Sequence, residues 1–201
     1  MIEEIVKEKI GQKDNSFKKF RGYHYTTLLD YESMQNGRTY RKKGLLPIGR
    51  FINLGEGNCL PKDAHEGCIS CLLEPEPQSW VNNKQFPYTW ISLMSHLCLK
   101  DNSLSPELSK LVLLSFEILC QDNAYVVERA HIEKWRAKNQ TKKQEKESYT
   151  NYWNSRVSVS EYKGNYNLPE LAIFSYIPID RLKLESEKPI SEVWEQLRKY
   201  Y

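Results

Sequence analysis

Tyr23-His24-Tyr25-Thr26-Thr27-Leu28-Leu29 is the stretch whose reading decides the fold. Its first half alternates aromatic and polar side chains, the period of a strand, in which residues two apart share a face. His24 and Thr26 are therefore expected to point together, with Tyr23 and Tyr25 on the other side. From Thr27 the pattern becomes helical as far as Gln35, with Thr27 as amino-terminal cap and Asn36-Gly37 as stop signal. The second informative stretch is Leu168-Pro169-Glu170-Leu171-Ala172-Ile173-Phe174, which opens a strand expected over residues 170–177. Its apolar residues fall on both faces, as in a strand covered on both sides. Pro169 biases Leu168 toward extended geometry. An imidazole–hydroxyl pair in one strand and a carboxylate at the mouth of another are costly to bury. Such groups persist where they find partners, and active sites are where partners gather.

Working outward, residues 68–73 read as a short strand ended by Glu74-Pro75-Glu76-Pro77. Residues 88–99 have helical apolar spacing through Trp90, Leu93, Met94 and Leu97. Residues 111–119 and 124–128 read as strands around the turn Gln121-Asp122-Asn123, and 131–138 as a short helix. Residues 38–61, rich in Gly, Asn and basic side chains, read as an ordered loop. Residues 139–148 are charge-dense and read as a solvated or mobile loop, before a helix over 148–156. A polar, Tyr-rich loop spans 161–167, and an amphipathic helix spans 190–197. Strands with helices between and beside them indicate an α+β domain. At 201 residues the chain suits one core, so a single domain over 1–201 is expected, residues 1–20 forming a surface segment.

Composition narrows the classes further. A net charge of +3 permits an acidic partner without requiring one. No apolar run has the length needed to cross a bilayer, and Met1-Ile2-Glu3-Glu4 lacks the features of a secretory leader. Five cysteines, an odd number, then suggest reduced thiols. The expected location is the cytoplasm, or a host cytosol reached as an effector without a cleavable signal. Cys59, His65, Cys68 and Cys71 lie close together but contain only one Cys-x-x-Cys. A strand over Cys68 and Cys71 points them to opposite faces, so they are read as buried thiols and no metal is expected.

His24 and Thr26, the turn Gly44-Leu45-Leu46-Pro47, Glu170 within Pro169-Glu170-Leu171, and the exit Ile177-Pro178-Ile179-Asp180-Arg181-Leu182 stand in a telling order. Together they resemble the ADP-ribosyltransferase family, in particular its His-Tyr-Glu type and toxin relatives. The resemblance implies a split antiparallel β-sheet with flanking helices, NAD as substrate, and transfer of ADP-ribose to a protein or nucleic-acid acceptor. Glu170 would stabilise the positive charge that develops on the ribose as nicotinamide leaves. His24, Tyr25 and Thr26 would hold the dinucleotide. Tyr40, Tyr162 and Tyr166 are candidates to stack on nicotinamide, and Arg50, with Arg38, Arg41, Lys42 and Lys43, to meet the pyrophosphate. Leu168 stands where arginine-modifying members carry Gln or Glu, so arginine is not the expected acceptor. NAD hydrolysis is a near neighbour of this reading. The rival from another class is a non-catalytic protein- or RNA-binding α+β module.

Overall fold

A computed structural model describes residues 20–37, 42–47, 68–99, 109–136 and 141–198. Strand β1 (Arg21–Thr27) includes the His-x-Thr stretch and runs antiparallel to β4 (Lys110–Glu117), with His24 opposite Leu114 and Thr26 opposite Val112. β4 is buried from Leu111 to Phe116 because helices pack on it while β1 and β9 (Lys183–Pro189) flank it in the sheet. A second sheet has the order β3 (Ile69–Cys71), β7 (Pro169–Ile173), β5 (Ala124–Glu128), β6 (Val157–Ser158), every pair antiparallel. Backbone hydrogen bonds of 2.9 and 2.8 Å between Tyr23 and Leu72 join β1 to the end of β3. A two-stranded sheet pairs β2 (Gly44–Leu45) with β8 (Ile177–Pro178). Helices and antiparallel sheets together make the described chain α+β.

Helix α1 (Leu28–Asn36) follows β1 directly. The Thr27 hydroxyl accepts the N–H of Asp30 at 3.1 Å, and Gly37 takes φ 64° at the stop. α2 (Gln78–Val81) and α3 (Thr89–Leu99) come next, and α4 (Ala130–Arg136) follows β5. Where a mobile charged loop is expected over 139–148, the structure has α5 (Lys142–Asn154). The correction has a local cause: the Thr141 side chain accepts from the Gln144 N–H while the Gln144 side chain accepts from the Thr141 N–H, a reciprocal cap. Three turns further on, Tyr149, Tyr152 and Trp153 are buried and anchor the helix. α6 (Ile190–Leu197) matches its sequence expectation and buries Ile190, Val193 and Leu197.

The strand expected over 170–177 divides in two. Phe174 donates its N–H to the Asn123 carbonyl at 2.8 Å, Asn123 donates to the Ser175 hydroxyl at 2.9 Å, and Ile177 leaves to pair with Leu45. β9 was not expected, because Lys183, Glu185, Glu187 and Lys188 mask its strand period. That composition also protects an exposed sheet edge from pairing with other chains. Residues 1–19 of the expected 1–20 segment and most of the 38–61 loop lie outside the described residues.

Candidate functional site

Beside α1 the structure forms a half-open cavity of about 350 Å³, in the range that holds a small ligand. β1 contributes His24 and Thr26, α1 contributes Asp30 and Ser33, β3 contributes Ser70, and Arg129 stands at the start of α4. Leu45, Leu72 and Leu97 supply apolar wall. His24 and Thr26 both reach the cavity, but Tyr23 and Tyr25 line it as well, so the two aromatic residues are not turned wholly away as the strand period predicts.

Ser70 is the residue on which the two sequence candidates meet. His24 Nδ1 lies 3.0 Å from the Ser70 carbonyl oxygen, and the Ser70 hydroxyl donates to Glu170 Oε1. The imidazole and the carboxylate, 146 residues apart, are thereby joined through one serine, because β3 pairs with β7 on one side and meets β1 on the other. Glu170 is only 4% exposed, and it stands behind Ser70 and Arg129 rather than among the described residues that line the cavity. Its Oε2 accepts from Arg129 Nη1 at 3.0 Å and from the Tyr152 hydroxyl at 3.0 Å. A buried charge needs such partners, since taking a lone carboxylate out of water costs several kcal/mol.

Arg129 is itself held. Its Nε donates to Glu133 at 2.8 Å, its guanidinium lies 5.4 Å from the Trp80 ring centre, and its N–H donates to the Leu168 carbonyl. Burial alone would weaken the guanidinium's hold on its proton. Glu170 first and Glu133 second outweigh burial and keep it more firmly charged than an ordinary arginine. Burial, then Glu170, pushes the Tyr152 phenol well above its usual value, so it remains a hydrogen-bond donor. Cys71 Sγ lies 3.9 Å from His24 Nδ1. Burial, then Cys68 and Glu170, pushes its thiol up, so at neutral pH it is not the thiolate that a cysteine nucleophile requires.

The other candidates divide. Tyr162 and Tyr166 do not line the cavity. Their rings pack against each other at 5.2 Å, the Tyr166 hydroxyl donates to the Ser155 carbonyl, and both rest on the apolar cluster around Val126 and Val159. Lys42 lines the cavity and lies 5.5 Å over the Tyr176 ring. Tyr40, Arg50, Arg38, Arg41, Cys59 and His65 lie outside the described residues. Cys68 and Cys71 are buried in two different apolar clusters. Among the described residues no group of three or more His, Cys, Asp or Glu could hold a metal ion.

Ser70, Arg129, Tyr152 and Trp80 are the residues that sequence reasoning missed as parts of this site. A serine between Ile69 and Cys71, and an arginine between a strand and a helix, were the available hints. No family model, curated protein or solved structure matches the chain. Among the described residues no helix is long and apolar enough to cross a membrane.

Proposed function

We propose that this protein is an ADP-ribosyltransferase that cleaves the nicotinamide–ribose bond of NAD and passes ADP-ribose to a protein or nucleic-acid acceptor. The observation that carries the reading is the convergence of His24 and Glu170 on Ser70 at the wall of a ligand-sized cavity. The split of the strands into sheets that meet at β1 and β3 is compatible with the fold expected of such an enzyme. In this reading His24 and Thr26 bind ribose hydroxyls, for which an imidazole and a hydroxyl offer both donors and acceptors. The glycosidic bond breaks with its electron pair leaving on nicotinamide, positive charge spreads over the ribose, and the acceptor's nucleophile closes the new bond and releases its proton to water. Glu170, paired with Arg129, supplies the negative charge that this transition state needs. Rotation of the Ser70 hydroxyl away from Oε1 opens that oxygen to the sugar. Water in place of the acceptor gives NAD hydrolysis. The work would take place in a cytosol, the cell's own or a host's.

One observation favours a non-catalytic binding module instead: three donors already occupy the Glu170 carboxylate, which does not itself line the cavity. Nicotinamide release decides between the two. Wild-type protein incubated with NAD is expected to release nicotinamide. Glu170→Gln, which keeps the side-chain shape, is expected to lower the rate by about 100-fold or more with the circular dichroism spectrum retained. Absence of release, together with absence of label transfer from an NAD analogue to lysate protein or nucleic acid, overturns the enzymatic reading.

A further inference from the structure

We infer that Tyr152, acting with Arg129, is a positioning residue that aims the Glu170 carboxylate at the cavity wall. The inference deepens the function proposed above and rests on it for its kinetic consequence. The geometry is asymmetric in a useful way. The Tyr152 hydroxyl and Arg129 Nη1 both bind Oε2, each at 3.0 Å, whereas Oε1 faces Ser70; Arg129 and Ser70 line the cavity, and Tyr152 holds the carboxylate from behind that wall. The terminal torsion of a glutamate is ordinarily broad. Two donors on Oε2 and one on Oε1 fix its plane, with one cavity-lining residue, Arg129 or Ser70, on each oxygen.

The supports are themselves rigid. Tyr152 is 3% exposed and packs with Cys68, Val127, Ile132, Trp153 and Ala172. Arg129 is locked by Glu133 and by Trp80, whose indole N–H donates to the Pro169 carbonyl at 3.0 Å, one residue before Glu170. Tyr152 does not line the cavity, and its hydroxyl meets the site at Glu170. Precision of this kind is what a second layer of contacts supplies to a reacting group.

Tyr152→Phe removes one hydroxyl and keeps the ring that packs. It is expected to lower kcat for nicotinamide release about tenfold, the size of a lost hydrogen bond to a charged group, with KM for NAD unchanged. In a Glu170→Gln background the same substitution is expected to cause no further loss, because its route to the chemistry is already gone. An additive loss, or a rise in KM with kcat intact, overturns the inference. A crystal structure of Tyr152→Phe gives a readout independent of activity, with Arg129→Lys as a second variant that keeps the charge but not the fork. The carboxylate plane is expected to turn in both, and an unmoved Glu170 overturns the role. If wild-type protein releases no nicotinamide, the enzymatic reading falls, and the carboxylate position in these crystals alone upholds or overturns the aiming of Glu170.

Discussion

Glu128 orders the backbone that leads to the site. Its Oε1 accepts the N–H groups of Ala130 at 3.1 Å and Leu168 at 2.9 Å, and its Oε2 accepts that of Asn167 at 2.7 Å. One buried carboxylate thus starts α4, which carries Arg129's partner Glu133, and ties down the chain just before Pro169 and Glu170. All three partners are donors, so Glu128→Gln must turn its amide NH₂ toward at least one backbone N–H. The expected loss is about 1–3 kcal/mol, read as a lowered urea midpoint, and unchanged stability would show that solvent replaces the carboxylate. Arg129 makes the opposite case. Arg129→Ala removes the cation paired with Glu170 in a buried setting, and loss of one partner of a buried pair costs about 3–5 kcal/mol. Guanidinium-induced unfolding followed by tryptophan fluorescence measures it, and a loss below about 1 kcal/mol would mean that the pair behaves as a surface contact.

At the level of elements, local signals were readable and distant ones were not. β1 and α1 were legible because strand period, the Thr27 cap and the Gly37 stop lie within a few residues of what they control. α5 was misread because its exposed first turns, Lys142 to Glu147, look like a solvated run. The information that makes them helical is the Thr141–Gln144 cap and the buried Tyr149, Tyr152 and Trp153 downstream. Thr141→Ala is therefore expected to cost about 1 kcal/mol and to fray the first turn, seen as faster amide exchange at residues 142–145. The Ser70, Arg129 and Tyr152 contacts with Glu170 left no local trace at all. They exist because β7 lies between β3 and β5 and because α5 packs near β5, pairings that no short window contains. Gly44 shows the same limit from the other side. Its place in a Gly-Leu turn was legible, but not that a side chain there would meet the Ile177 carbonyl at 2.2 Å with φ at 140°. Gly44→Ala is expected to destabilise by about 1–3 kcal/mol through backbone strain alone and to part β2 from β8. A stability equal to wild type would show that this pairing contributes little.

Across the molecule, pH tests whether the apolar cluster linking β1, α2, α3 and α6 behaves as one core. Two of the ionisable groups set into it or against it, Tyr25 and Cys98, are held in their neutral forms. The Tyr25 ring meets Trp90 edge-on at 6.0 Å and its hydroxyl donates to the Pro75 carbonyl at 2.9 Å; burial, then Glu76, pushes its phenol from 10.0 up to about 12. Cys98, with no exposed surface, has its thiol pushed by burial from 9.0 up to about 11. In both the folded state favours the neutral, protonated form, so the unfolded chain loses its proton first as pH rises. Their contributions are therefore complete below pH 9.0 for Cys98 and 10.0 for Tyr25, and are lost toward about 11 and about 12 respectively. At the acid end the sign reverses for Asp122. Burial would raise its carboxyl, but the Arg181 hydrogen bond, the Leu119 N–H and the Arg181 charge together hold it below 3.8, so its contribution is lost as pH falls through that region. Urea midpoints measured from neutral pH into alkali are expected to hold level and then decline from about pH 9. Tyr25→Phe should lower the neutral plateau slightly through the lost hydrogen bond, yet shrink the decline above pH 10, because no phenol remains to ionise. An alkaline limb in Tyr25→Phe as steep as that of the wild type would mean that the fold does not oppose ionisation of this tyrosine, and that β1 does not stay closed against α3.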